Sequence, residues 1–155
     1  MKLTLEEAIA IASRAHLDQK DKGGHPYILH CLRVMLQMET EEEMIIAVLH
    51  DLIEDTGWDW KGLTDIGASG RTIYALKHLT RLRGYMPHTK NPSYINETYK
   101  EYIVRLSAFK LARKIKIADL KDNLNLNRLP IGEIEKFKSL IEREKWALQY
   151  LENLV

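Results

Sequence analysis

Apolar residues recur at spacings of three and four along almost the whole of this chain, and that period commits it to helices. Leu5, Ala8, Ile9, Ala12 and Ala15 build the first apolar stripe, and Thr4 followed by Glu7 is a capping box that starts it. Residues 19–26 break the pattern with two glycines and Pro26, which marks a loop. A second apolar segment covers 28–38. A third helix opens at Thr40 with Glu43, runs through Met44, Ile45, Val48 and Leu49, and is expected to end near Thr56 and Gly57. Further on, the spacing predicts a short helix over 60–66, a Ser69-capped helix to about 82 and a loop over 84–91. Asn91-Pro92 suits the start of a helix carrying Tyr94, Ile95, Tyr99, Tyr102, Ile103 and Leu106. Helices over 109–124 and 133–151 follow, with a turn at 129–132 between them. There is no strand-like alternation longer than a few residues, no repeat and no low-complexity tract. The expectation is one all-α domain over 1–155, a bundle of about seven or eight helices.

A chain of 155 residues supports one core, and 45% hydrophobic with 29% charged residues excludes a disordered or fibrous protein. Lys plus Arg number 23 against 22 Asp plus Glu, so the net charge of +1 does not fit a general nucleic-acid binder. Cys31 is the one cysteine, which leaves no internal disulfide and no thiolate-based zinc site. The acidic N-terminus lacks a signal peptide's apolar core, and no apolar run approaches the roughly 20 residues that cross a bilayer. A cytoplasmic protein that engages neither nucleic acid nor membrane is expected.

Chemistry concentrates around His50-Asp51 and, one turn later, Glu54 and Asp55; a spacing of four places His50 over Glu54 and Asp51 over Asp55. Carboxylates at a helix C-terminus face the negative end of its dipole, and a bound cation offsets that cost. Solvated helix-end acids beside a core histidine would produce the same spacing. Asp119 sits on an otherwise apolar helix side, where a carboxylate needs a cation or a hydrogen-bond partner. His30 completes the set. Cys31 reads as a small buried hydrophobe, His16 as an ordinary structural histidine with a hydrogen-bond role behind the site as its alternative, and His25, His78 and His88 as exposed.

His30, then His50-Asp51, then a distant Asp119 is the H…HD…D pattern of the HD metal-dependent phosphohydrolases. More narrowly, Gly24-His25-Pro26-Tyr27-Ile28-Leu29-His30 resembles the G-x-P-Y-x-x-H segment of the RelA/SpoT alarmone hydrolase domain. His50-Asp51-Leu52-Ile53-Glu54-Asp55-Thr56 resembles its H-D-x-x-E-D-T, and Lys116-Ile117-Ala118-Asp119 with Asn123 resembles its K-L-A-D-x-x-x-N. Ala15-His16-Leu17-Asp18-Gln19 is similar to its A-H-x-x-Q. Together the motifs span about residues 8–128.

The resemblance implies an HD-domain helical bundle with His30, His50, Asp51 and Asp119 as ligands of a divalent metal. Manganese is the expected ion, with zinc and iron as alternatives. It implies that Glu54 and Asp55 handle the attacking water and its proton, with Glu54 the more essential. The implied substrate is guanosine tetraphosphate or pentaphosphate, cleaved at the 3′-diphosphate to give pyrophosphate and GDP or GTP. Hydrolysis without synthesis is expected, because every matching motif belongs to the hydrolase. Lys22 and Asn123 match substrate-facing positions; Arg14, Arg81, Arg105, Tyr99 and Tyr102 are further candidates for the anion pocket. The family's R-K-S-G-E stretch is replaced by Asp21-Lys22-Gly23-Gly24-His25, Leu120 stands for a basic residue, and Asp122 for an aromatic or histidine. Those departures keep open a phosphohydrolase of another nucleotide (a nucleoside monophosphate or NADPH) and a catalytically silent nucleotide-binding module. The apolar face of the last helix can serve a homo-oligomer as readily as the core.

Overall fold

Three Thr-x-x-Glu boxes set the starts of three helices in the computed structural model of the protein, which describes residues 2–86, 93–129 and 132–155. At Thr4/Glu7, Thr40/Glu43 and Thr98/Glu101 the hydroxyl accepts from the N3 backbone and the glutamate accepts from the cap. Each box satisfies two N–H groups that a helix start otherwise leaves without partners. The first two open α1 (Leu5–Ala15) and α3 (Glu41–Val48), as the sequence predicts; the third opens α7 (Tyr99–Ser107). The other α-helical segments are α2 (Ile28–Met35), α4 (Leu52–Asp55), α5 (Trp60–Asp65), α6 (Gly70–Leu79), α8 (Lys110–Asn123) and α9 (Lys138–Glu152). With α4 a single turn, the all-α expectation of seven or eight helices is borne out.

Helix α3 lies at the centre. Ile45, Ile46, Ala47 and Val48 are consecutive and all buried, so every face of its second half is covered. Around it pack α1, α2, α6 and α8. Helix α8 also meets α2, α7 and α9. Helices α2, α3 and α8 therefore touch pairwise, and each carries or adjoins one of the expected metal ligands. Trp58 and Trp60, the latter the first residue of α5, pack on the core, and Cys31 is fully buried, as expected of it.

Three expectations are corrected. The third helix does not run unbroken to Thr56; it stops at Val48, and Leu49, His50 and Asp51 form a turn before α4. The backbone at 93–96 is not helical: β1 (Arg83–Met86) and β2 (Ser93–Asn96) pair antiparallel, with Arg83 opposite Asn96 and Gly84 opposite Ile95. Gly84 has φ 97°, a conformation that favours glycine. A ribbon of two four-residue strands is held by its backbone ladder, so no longer period-2 pattern marks it. Finally, α9 begins at Lys138 rather than 133, after a 3₁₀ turn at Glu135–Phe137. The remainder of the expected 84–91 loop, including His88, the Asn91-Pro92 helix start and Pro130-Ile131 of the expected turn lie outside the described residues. No described helix is long and apolar enough to cross a membrane.

Candidate metal centre

The break after α3 creates the centre. Where the helix ends, the Ala47 carbonyl accepts from His50 Nδ1 at 2.7 Å. That bond makes Nδ1 the donor and turns the Nε2 lone pair of His50 inward. His30, in the first turn of α2, is held the same way: its Nδ1 donates to Asp122 Oδ2 at 2.7 Å. Both imidazoles thus present Nε2, the two atoms 3.3 Å apart, although neither has a proton to share when neutral.

Two carboxylates close on the same point. Asp51 Oδ2 is 2.9 Å from His50 Nε2 and 3.7 Å from His30 Nε2. Asp119 Oδ1, from α8, is 3.3 Å from His30 Nε2 and 3.7 Å from His50 Nε2. Bonds of about 2.1 Å to one ion separate neighbouring ligand atoms by roughly 3.0–3.4 Å, so these spacings suit a shared cation. His30, His50 and Asp119 are 3%, 3% and 2% exposed, so bulk water screens their convergent atoms little. The donor set fits a divalent ion: two neutral imidazole nitrogens and two carboxylates, with no thiolate.

The local field reports the same preference. Burial pushes the imidazoles toward neutrality, yet facing carboxylates raise His30 to about 11 and His50 to about 9. Burial likewise opposes ionisation of Asp51 and Asp119. His50 and His30 overcome it at Asp51, and Lys116 with both histidines does so at Asp119, holding each acid well below the usual range. Positive charge is favoured at the point between the four groups.

Further side chains brace the acids. Tyr27 donates from its hydroxyl to Asp51 Oδ2 at 2.5 Å and lies 3.3 Å from Asp55 Oδ2. Lys116 Nζ sits 2.6 Å from Asp119 Oδ2, and Asn123 Nδ2 donates to Asp119 Oδ1 at 2.9 Å. His16, 2% exposed, meets Gln19 Oε1 through Nδ1 at 2.8 Å, and Gln19 Nε2 donates to the Asp55 carbonyl at 2.8 Å. Glu54 accepts from the backbone N–H of Arg81. Burial raises the carboxyls of both Glu54 and Asp55 above their ordinary values.

The centre opens into a cleft of about 380 Å³ that Glu54, Asp55, Lys22, Tyr99, Tyr102 and Asn123 help to line. Arg81 lines it too, as do Lys20, Arg83, Lys116, Arg128 and Arg143, so the wall carries several basic side chains interleaved with the acids Asp21, Glu54, Asp55 and Glu144. Arg143 lies over the Tyr99 ring, 4.1 Å from its centroid. Lys22 Nζ is 3.5 Å from Glu144, a carboxylate 6% exposed on the cleft wall whose pKa burial raises.

Two candidates for the anion pocket are placed elsewhere. Arg14 is exposed in the last turn of α1 and is not among the residues that line the cleft. Arg105 is taken up by Glu97, with Nε 2.7 Å from Oε1 and NH2 2.9 Å from Oε2, and by the Thr80 carbonyl at 2.9 Å. Its guanidinium serves the junction between the hairpin and α7, because a buried glutamate there needs a counter-charge. Conversely, Asp122, Arg128, Arg143 and Glu144 were not singled out as site residues from sequence. Asp122 and Arg128 join the site through partners about a hundred positions away, which no local spacing reveals.

No known family model matches the sequence. The chain is 27% identical over 124 residues to the guanosine-3′,5′-bis(diphosphate) 3′-pyrophosphohydrolase of Aquifex aeolicus, covering 77% of this chain and 17% of that protein. It is 39% identical over 59 residues to the bifunctional (p)ppGpp synthase/hydrolase RelA of Mycobacterium tuberculosis, covering 35% of this chain and 8% of the relative. The chain therefore spans less than a fifth of the length of either. In fold it is similar to a solved structure described as a metazoan ortholog of SpoT that hydrolyzes ppGpp. That match has a TM-score of 0.66 at 17% identity and covers 95% of this chain and 92% of the other. The expected all-α architecture is thus observed, and it is shared with that solved structure.

Proposed function

We propose that this chain is a metal-dependent phosphohydrolase that removes the 3′-diphosphate of guanosine tetraphosphate or pentaphosphate, acting in the cytoplasm. The observation that carries the reading is the convergence of His30 Nε2, His50 Nε2, Asp51 and Asp119 beside a cleft whose lining includes Lys20, Lys22, Arg81, Arg83 and Arg143. The similarity to proteins named for ppGpp hydrolysis agrees with it.

His30, His50, Asp51 and Asp119 would hold the ion, and manganese suits a donor set half of oxygen and free of thiolate. When bound, a divalent ion supplies Lewis acidity toward a phosphoryl oxygen and lowers the pKa of water. The protein's own groups do the rest. In the net reaction water adds to the phosphorus carried by the 3′-oxygen, that P–O bond breaks, and pyrophosphate leaves. Water gives up one proton and the departing 3′-oxygen gains one. Glu54 and Asp55 face the cleft with pKa values raised by burial, which brings a carboxyl closer to the range where it both takes and returns a proton. Lys22, Lys20, Arg81, Arg83 and Arg143 supply charge for a ligand bearing two diphosphates, and Tyr99 offers a ring for a base or ribose.

Incubating manganese-loaded protein with guanosine tetraphosphate and separating products by ion exchange tests this. GDP with pyrophosphate is the expected outcome. Bound manganese without product would overturn the substrate. A panel including nucleoside monophosphates and NADPH would then identify the replacement, which the altered 20–24 loop makes the second reading.

A further inference from the structure

Asp122 lies three residues beyond Asp119 on α8, about one turn, and is 7% exposed. Three side chains converge on its carboxylate. Oδ2 accepts from His30 Nδ1 at 2.7 Å and from Arg128 NH2 at 2.9 Å, while Oδ1 accepts from Arg33 Nε at 2.7 Å. A buried carboxylate is costly without partners, and here two guanidinium groups keep it charged. Its hydrogen bond to His30 has one direction only, since a carboxylate accepts and Nδ1 must donate. The His30 lone pair is thereby committed to Nε2, the atom that faces His50, Asp51 and Asp119.

From this geometry, and resting on the metal-dependent reading above, we infer that Asp122 is a positioning residue for the metal: it fixes the tautomer and ring plane of His30 and strengthens its Nε2 as a ligand. The two histidines differ in this respect. His50 donates to a neutral carbonyl and His30 to an anion, so His30 is the more electron-rich of the pair. The same network reaches the cleft wall. Arg128 NH1 donates to Asp21 Oδ2 at 3.0 Å and Arg33 NH2 lies 3.6 Å from that oxygen, while Asp21 Oδ1 accepts the backbone N–H groups of Gly23 and His25. A Cβ at Gly23 would collide with the Arg128 carbonyl, so the loop can seat here only with glycine at that position. The loop beside Lys22, through Asp21, and His30, through Asp122, are therefore tied to the same two guanidinium groups, Arg33 and Arg128.

Asp122→Asn keeps an oxygen acceptor without the charge, and Asp122→Ala removes both. Manganese affinity is read by titrating the free-ion electron paramagnetic resonance signal, with no substrate present. A loss of about 10–100-fold is expected for Asp122→Ala and a smaller loss for Asp122→Asn. In zinc-loaded protein, the His30 Nδ1–H proton should resonate far downfield in the wild type and move upfield in Asp122→Asn. Melting in chelator establishes that each variant folds; if Asp122→Ala does not, the nearly isosteric Asp122→Asn decides. Wild-type manganese affinity with an unmoved Nδ1–H resonance would overturn the inference and leave Asp122 a salt-bridge residue. A wild type that binds no manganese would instead overturn the metal-dependent reading on which the inference rests.

Discussion

Glu97 with Arg105, and His30 with His50, Asp51 and Asp119, are both buried arrays of charge, and they are finished in different ways. At Glu97 every acceptor meets a donor: Oε1 takes Arg105 Nε at 2.7 Å, and Oε2 takes Arg105 NH2 and the Leu82 N–H, each at 2.9 Å. Arg105 spends a further N–H on the Thr80 carbonyl at 2.9 Å. At the other array, acceptors face acceptors. Two Nε2 atoms and two carboxylates converge; Tyr27 and Asn123 each give one hydrogen bond to the convergent oxygens Asp51 Oδ2 and Asp119 Oδ1, Lys116 holds the far oxygen of Asp119, and the two Nε2 atoms meet no donor. A closed set of partners is how a fold stabilises a junction; an acceptor-rich set turned on one point is how it holds a cation.

The largest effects should come from breaking the open array. His50→Ala or Asp51→Ala deletes a ligand atom from a group whose members lie within 4.8 Å of one another. Each variant is expected to lose both manganese binding, read by metal analysis after gel filtration, and turnover. Turnover that persisted in both would place the chemistry elsewhere in the cleft.

Next in size is Glu54→Gln. The side chain lines the cleft but is not among the four convergent groups, so the metal should remain while turnover falls roughly 10²–10⁴-fold, the scale of lost acid–base assistance. Loss of metal in this variant would move Glu54 into the coordinating set. Third, saturating manganese should raise the melting temperature. At 100 times its dissociation constant the ion contributes about 2.7 kcal/mol, or about 5–10 °C for a chain this long. His50→Ala should show no such shift and Glu97→Gln the full one, which turns the contrast between the two arrays into a single calorimetric experiment.

What the sequence reveals and what it conceals divide along the distance between partners. The Thr4/Glu7 and Thr40/Glu43 boxes are three residues long, and both form as read. The burial of 45–49 is equally local, since an uninterrupted apolar run admits no exposed face. His30, His50, Asp51 and Asp119 were legible because motifs carry them in register, and the structure brings them together. The fate of Arg105 was not legible: a basic residue on a helix looks the same whether it faces a ligand or Glu97. Nor was the hairpin, whose Tyr94 and Ile95 continue the spacing of Tyr99 and Tyr102 closely enough to read as one helical face. Asp122 looked like a departure from the family pattern, and its partner His30 is 92 positions away. Glu144 and Arg143 reach the cleft from α9, beyond every motif quoted.

The smallest effect belongs to the closed array, and its pH dependence separates it from the open one. Glu97→Gln keeps one carbonyl oxygen but removes the charge that matches Arg105, at a cost of about 1–3 kcal/mol at neutral pH, measured by urea unfolding. Burial alone would raise the Glu97 pKa, but Arg105 and the Leu82 N–H more than offset it and hold the carboxyl below its ordinary value. A depressed folded-state pKa contributes stability that is fully present above the unfolded value, about 4.3, and is lost as pH falls through the folded one. The stability gap between wild type and Glu97→Gln should therefore be widest at neutral pH and close progressively in acid. Turnover of the variant at neutral pH should match the wild type, because Arg81 holds the Glu97 backbone carbonyl, at 2.6 Å, and that contact survives the substitution. A gap that stayed constant down to the acid transition would show that the Arg105 charge is compensated by water rather than by Glu97, and the two arrays would then differ in burial only.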